Sequence, residues 1–245
     1  MRVFHIPLLI AFTVFSGFSV YAANFTSGIV QGKSAYIWLS GSIVNGDGTK
    51  FKEQVNQLNR AGYSVDYVYL SSSGGQVSEA QTISDWVKRY NVITIVPKDS
   101  SCASACFSIF AAGYQKIVDK TSKIGVHRIS IGGKDTDVAR SFSIGMNDHY
   151  EALKVPSSIS YKMLTTPPEK MYWLSSIDYR AMNVKYLTDN SRLHASNLVK
   201  IPAATKEAEV TTNMKRSITI GGKTIPLDKS GVYRTDSATI VVINN

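Results

Sequence analysis

Three short segments carry residue types that could together perform acyl transfer. In Ser71-Ser72-Ser73-Gly74-Gly75, a double glycine lets the backbone turn sharply and present unhindered N–H groups to a developing negative charge. The same pair also reads as an ordinary tight strand-to-helix turn. Neither a P-loop nor a GxGxxG pattern accompanies it, so a phosphate cradle has no further support. In Cys102-Ala103-Ser104-Ala105-Cys106, a serine opening a small-residue helix is placed either for nucleophilic attack or for N-capping. In Ile124-Gly125-Val126-His127-Arg128, a histidine ends a short apolar strand. Its neutral imidazole could accept a hydroxyl proton near pH 7, or it could be purely structural. The other histidines compete poorly: His5 lies in an apolar N-terminal segment, and His149 and His194 lie in polar contexts with no nucleophile beside a glycine turn.

The elements that must position these residues follow from hydrophobic period and turn chemistry. Residues 35–44, AYIWLSGSIV, read as a strand followed by a turn at Asn45-Gly46-Asp47-Gly48. Phe51, Val55 and Leu58 mark an amphipathic helix that Gly62 stops. VDYVYL, residues 65–70, is the next strand, and Val77, Ala80, Ile83, Val87 and Tyr90 mark a second helix after the double glycine. NVITIV, residues 91–96, has the composition of a buried strand, and Ala103 to Ala112 is an apolar small-residue segment. Short strands are expected at 115–119 and 123–127, then mainly helix over 137–190 with breaks at Pro156 and Pro167-Pro168. This alternation predicts an α/β fold with a largely parallel sheet. Residues 205–245 change character, with SITIGGKTIPL and ATIVVI separated by turn signals, which predicts a small β-rich tail after a polar linker.

Taken in order, LSSSGGQVSEA, CASACFSIFAAG and IGVHR resemble the proteolytic subunit of the Clp protease and its exported relatives, within the wider Clp/crotonase fold, over about residues 35–190. The resemblance implies a spiral of strand-strand-helix units, with the C-terminal β appendage outside it. It implies Ser104 as nucleophile, His127 as general base, and the N–H groups of Gly75 and Ala105 as oxyanion hole. It further implies peptide or unfolded-protein substrates, no cofactor, and homo-oligomeric rings built through the helical segment after His127. An ATP-driven unfoldase is not implied, because the chain has no nucleotide motif.

The same resemblance places an orienting acid shortly before a leucine-serine turn, at Glu169-Lys170-Met171-Tyr172-Trp173-Leu174-Ser175, and Met171 stands where an aspartate is expected. A thioether cannot hold an imidazole tautomer, and loss of the acid costs on the order of 10⁴ in turnover in a serine protease. Glu169 and Asp178 are the nearest acids, although Ser175-Ser176-Ile177-Asp178 also fits a helix capping box. The alternative is therefore a noncatalytic binding or assembly module that retains the fold. A crotonase-type reaction on a thioester is a third reading, which an exported location makes a poor match for coenzyme A substrates.

Cys102 and Cys106 are the only cysteines. Four residues along a helix put Cα atoms roughly 6 Å apart, so a bridge needs an irregular first turn. In an oxidising compartment a local disulfide is favoured over two free thiols. Zinc on Cys102, Cys106 and His127 would lack a fourth ligand. The compartment is read from residues 1–22: one cation at Arg2, an apolar stretch, then small residues, with cleavage expected after Ala22. The expected organisation is thus a signal peptide over 1–22, a Clp/crotonase-like domain over 23–202, and a linker and β-rich tail over 203–245, exported to a periplasmic or extracellular space.

The 245 residues, 44% hydrophobic, suffice for one sizeable core and exclude a disordered or low-complexity polymer. The net charge of +9 raises the question of an anionic partner. The cations are scattered, adjacent only in pairs such as Lys88-Arg89 and Lys215-Arg216, so nucleic acid is not an expected partner.

Overall fold

The computed structural model describes residues 22–187 and, beyond them, four short strands. In chain order the elements are β1 (Asn24–Gln31), β2 (Ser34–Ser40), α1 (Asp47–Arg60), β3 (Ser64–Ser71), α2 (Val77–Arg89), β4 (Ile93–Val96), β5 (Ser101–Ala103) and α3 (Cys106–Ala111). They continue with β6 (Lys116–Val118), β7 (Lys123–Val126), α4 (Asp137–Gly145), α5 (Asn147–Ala152), α6 (Ser157–Thr165), β8 (Tyr172–Trp173), α7 (Ser176–Ala181) and β9 (Lys185–Tyr186).

The main sheet has the order β1-β2-β3-β4-β6-β9; β1 is antiparallel to β2, and every other pair is parallel. A smaller sheet, β5-β7-β8, pairs β5 with β7 in parallel and β7 with β8 antiparallel. Single bridges from Ile43 to Gly75 and from Ser72 to Cys102 continue that small sheet toward the start of the chain. Each turn of chain thus places one strand in the main sheet, one segment in the small sheet, and then a helix: β4-β5-α3 and β6-β7-α4 are two such turns. The expected α/β class and the strand-strand-helix spiral are both present.

Local sequence explains the elements around the site. In α1 the buried face is Phe51, Val55 and Leu58, as their spacing predicts, and Gly62 at φ 85° lies just beyond its end. In α2, Ala80, Ile83 and Val87 are buried, whereas Tyr90 falls just past the helix and is exposed. The strands alternate faces. Ile37 and Leu39 of β2 and Val68 and Leu70 of β3 join the core under the helices, while Tyr36, Trp38, Tyr67 and Tyr69 form an aromatic cluster on the opposite face. Phe51 is fully buried between Phe25 and Trp86. Full burial of such a side chain contributes roughly 1.5–3 kcal/mol.

Three details differ from the sequence expectation. The strand expected over 35–44 stops at Ser40, because the chain leaves the main sheet and bridges Gly75 at Ile43. The structure also adds β1, whose partner is β2 in a hairpin closed by Gly32 at φ 59°. The stretch expected as mainly helix over 137–190 is broken at Pro156, before α6, and at Pro167-Pro168, as expected. Beyond the second break it holds the short strands β8 and β9 around α7, because these residues pair with β7 and β6.

In the C-terminal part, β10 (Ser217–Ile220) pairs antiparallel with β11 (Lys223–Pro226), and β12 (Gly231–Arg234) with β13 (Thr239–Val242). Residues 1–21 of the signal peptide expected over 1–22, the expected linker, and the residues between these four strands lie outside the described residues. Among the described residues no helix is long and apolar enough to cross a membrane.

Candidate active site

Ser104 lies between β5 and α3 with φ 54°, the left-handed region that a serine rarely adopts. Such a conformation costs about 1–2 kcal/mol for an L-residue and persists only where the surroundings impose it. Here the Ser104 N–H donates to the Gly125 carbonyl at 3.0 Å and the Ala103 N–H donates to the Ser72 carbonyl at 3.0 Å. On the far side, the Phe107 N–H donates to the Ser104 carbonyl at 2.9 Å. The expectation of a serine opening the helix therefore needs correction: Ala103 belongs to β5, α3 starts at Cys106, and Ser104 is the corner between them. N-capping by Ser104 is also set aside, since Ala105 is the N-cap and no side chain caps α3.

The double glycine is required by what it touches. A Cβ on Gly74, at φ 97°, would lie 2.7 Å from Ser104 Cβ and 2.9 Å from the Ala105 nitrogen. One on Gly75, at φ 137°, would lie 2.1 Å from the Ile43 carbonyl oxygen. The turn thus lets two backbone segments approach closely, and Gly74 seats the serine corner, a contact not anticipated from the sequence. The N–H groups of Gly75 and Ala105 donate no hydrogen bond among the described residues, and both residues line one cavity of about 60 Å³ with Ser104 and His127.

Register brings the histidine to the same place. β5 and β7 run in parallel with Ala103 opposite Gly125, so Ser104 and His127 leave adjacent strands at the same end. Both are half-buried. Among the described residues no direct hydrogen bond joins the serine hydroxyl to the imidazole, a separation that often closes only when substrate binds. Burial pushes the imidazole below its ordinary value near 6.5, against the opposing pull of the Glu169 charge. His127 is therefore neutral at pH 7, as a general base must be.

The other face of the imidazole is unusual. His127 Nδ1 is buried and has no hydrogen-bond partner among the described residues. β7 and β8 pair Gly125 with Trp173 and Val126 with Tyr172, so one further step in register sets Met171 beside His127. The Met171 thioether packs on Gly125, where a Cβ would come within 2.6 Å of its sulfur. At the position where the sequence resemblance expects an orienting carboxylate, the side chain is thus an apolar thioether packed on Gly125.

The two nearby acids are placed differently. Glu169 is exposed and reaches His127 only through its charge. Asp178 is buried in the capping box of α7, accepting from the Ser175 N–H and hydroxyl at 2.8 Å each. Its carboxylate also accepts from Lys162 Nζ at 2.5 Å and from the Tyr172 hydroxyl at 3.1 Å. Burial alone would raise its pKa, but these donors hold it down at about 2. Asp178 is thus committed to α7 and β8 rather than to the imidazole. Lys162 keeps part of its hydration, so Asp178→Ala is expected to lower stability at pH 7 by about 2 kcal/mol, chiefly through the lost capping box and the donors left without an acceptor. Because the folded pKa lies below the unfolded value near 3.8, the carboxylate's stabilisation is present above pH 4 and fades as pH falls toward 2. Urea unfolding of both proteins at pH 7 and pH 2.5 checks this; the gap between them should shrink at the lower pH.

Cys102 and Cys106 form a disulfide with a Cα–Cα distance of 5.3 Å, made possible because Cys102 sits on the strand and not in a helical turn. Neither sulfur is then a thiolate for zinc, and among the described residues no group of three or more His, Cys, Asp or Glu could hold a metal ion.

Sequence reasoning missed the rest of the cavity wall. Phe107, Met146, Tyr150 and Met163 give it an apolar lining, and Arg128 fixes its rim. The Arg128 guanidinium donates to both oxygens of Asp135 and to the Leu164 carbonyl, while the Ile129 N–H donates to Ser143 Oγ at 2.9 Å. Ser143 comes from α4, Leu164 from α6 and Asp135 from the loop before α4, so no local motif announces them.

No protein-family model matches the chain, and no curated protein matches it. Solved structures of similar fold include the membrane-bound stomatin-specific protease 1510-N, at 15% identity and TM-score 0.49, over 65% of this chain and 82% of that one. ClpP1 from Listeria monocytogenes is similar at 16% identity and TM-score 0.48, over 64% of this chain and 94% of that one. The catalytic domain of the ClpP protease from Plasmodium falciparum is similar at 14% identity and TM-score 0.49, over 64% and 86%.

Proposed function

We propose that the chain is an exported serine hydrolase acting on peptides or unfolded protein segments. The observation that carries this reading is the left-handed Ser104 corner, set in one cavity with a neutral His127 and the free N–H groups of Gly75 and Ala105. In the reaction, Ser104 Oγ attacks the substrate carbonyl carbon as His127 Nε2 takes its proton. The Gly75 and Ala105 amides receive the oxyanion. The imidazolium then gives its proton to the leaving amine, and water hydrolyses the acyl-enzyme by the same route. Phe107, Met146, Tyr150 and Met163 suit an apolar substrate side chain next to the scissile bond. No cofactor enters the scheme.

Export belongs to the same reading. Cleavage after Ala22 would leave Ala23 ahead of β1 and keep every described strand, at the loss of the single bridge from Ala22 to Ser42. Homo-oligomer assembly without an ATP-driven unfoldase is part of the proposal. A noncatalytic binding module is favoured by one observation, the His127 Nδ1 that has no hydrogen-bond partner among the described residues.

The test is hydrolysis of a short peptide library bearing varied side chains before the scissile bond, with kcat/KM followed against pH. Cleavage after apolar residues is expected. The acid limb should have its midpoint below 6.5, because burial disfavours the protonated imidazole. Glu169→Gln should move the midpoint lower still, since the Glu169 charge supports protonation. A limb centred above 6.5 would contradict His127 as the base.

A further inference from the structure

We propose that the Cys102–Cys106 disulfide positions the nucleophile corner, so that acylation of Ser104 depends on the oxidation state of this pair. The inference rests on Ser104 being the nucleophile.

Only Ala103, Ser104 and Ala105 lie between the two cysteines, and Ser104 is the one of the three at positive φ. The N-terminal side of the corner is anchored by backbone bonds. Cys102 pairs in register with Ile124 of β7 and bridges Ser72, and the Ala103 and Ser104 N–H groups donate to Ser72 and Gly125. On the C-terminal side the backbone bonds stay within the corner and α3, from the Phe107 N–H to the Ser104 carbonyl and from the Ser108 N–H to the Ala105 carbonyl, and the side-chain bond between Ser108 and Tyr150 ties α3 to α5 and not to β5. No side chain caps α3, and the Ala105 N–H has no protein acceptor among the described residues. The covalent bond is the direct link from the first turn of α3 to β5, and core packing of Phe107, Ile109 and Phe110 holds the rest of the helix.

That bond holds the Cα atoms of residues 102 and 106 at 5.3 Å, which closes the chain tightly around the serine and keeps Ala105 in the cavity wall with its nitrogen close to Gly74. A loop this short removes little chain entropy from the unfolded state compared with a long one. Both sulfurs are fully buried in the core, and their link bears directly on the two residues that supply nucleophile and oxyanion donor. Reduction breaks the S–S bond and adds two electrons and two protons, drawn from a dithiol that itself closes to a disulfide. The freed corner can relax toward ordinary φ, moving Ser104 Oγ and the Ala105 amide apart from their shared target.

The experiment compares the rate of acylation by a fluorophosphonate in three full-length forms. These are the oxidised protein, the dithiol form refolded in dithiothreitol, and Cys102→Ala/Cys106→Ala, each checked for fold by its thermal transition and for thiol state by alkylation and mass. Expected is at least a tenfold slower acylation in both reduced and double-variant proteins, with Ser104 still the labelled residue. The rate should recover when the dithiol form is reoxidised, and the same oxidant should leave the double variant slow. Equal rates in all three folded forms would overturn the positioning role. Failure of both disulfide-free forms to fold would assign the bond to stability and also overturn it. No labelling of the oxidised protein would instead overturn the nucleophile reading beneath it.

Discussion

Replacing Ser104 with alanine is expected to abolish acylation and to lower peptide hydrolysis by about 10²-fold, far less than in a complete catalytic triad. The magnitude follows from the imidazole's surroundings. Where serine, histidine and acid act together, removing the serine costs about 2 × 10⁶ in turnover, whereas removing the acid alone costs about 3 × 10⁴. Here His127 Nδ1 has no acceptor among the described residues, so the acid's share is already missing. The ratio of the two losses leaves on the order of 10² above the residual catalysis by the oxyanion donors. His127→Ala should fall to the same floor, and the double variant no further, because the two groups act as one unit. Initial rates on a single peptide substrate for the three variants check the non-additivity.

Met171→Asp is expected to raise kcat by tenfold or more. Met171 follows directly on the β7–β8 register that leads to His127, and its sulfur packs on Gly125, two residues before the histidine whose Nδ1 is buried with no hydrogen-bond partner among the described residues. A carboxylate there would accept the Nδ1–H, hold the tautomer that leaves Nε2 free for the serine proton, and stabilise the imidazolium as it forms. The full value of an orienting acid, up to about 10⁴, requires ideal geometry, and a neighbouring half-buried carboxylate pays desolvation. The sign on pH is fixed: a nearby negative charge favours the protonated ring, so the acid limb should move to higher pH. Met171→Leu, which keeps the apolar contact, should leave both rate and pH profile close to wild type. A Met171→Asp protein that folds but shows neither change would place the carboxylate out of reach of Nδ1.

The sequence reached the site through period and order. Phe51, Val55 and Leu58 define α1, and Ala80, Ile83 and Val87 define α2, because a buried helix face repeats every three or four residues. The double glycine, the serine and the histidine were legible as separate signals, each with an ordinary structural alternative. Their convergence was expected only through the family resemblance, because its physical cause, the parallel register of β5 and β7, is not written in the residues themselves. The φ of Ser104 is invisible in a residue type that more often caps helices. β5 is hidden for a similar reason: Ser-Cys-Ala carries no strand pattern, and its pairing with Ile124 comes from 22 residues away. Asp178 illustrates the opposite case. Its capping box with Ser175 is local and readable, whereas Lys162 and Tyr172, which complete its burial, come from α6 and β8.

The central claim is an activated serine at residue 104. The most direct measurement is the intact mass of the oxidised protein before and after incubation with a fluorophosphonate, followed by peptide mapping, with Ser104→Ala alongside. The account predicts a single covalent adduct, mapped to Ser104 and absent from the variant. A well-folded protein that stays unlabelled, or one whose label persists when Ser104 is alanine, would contradict it.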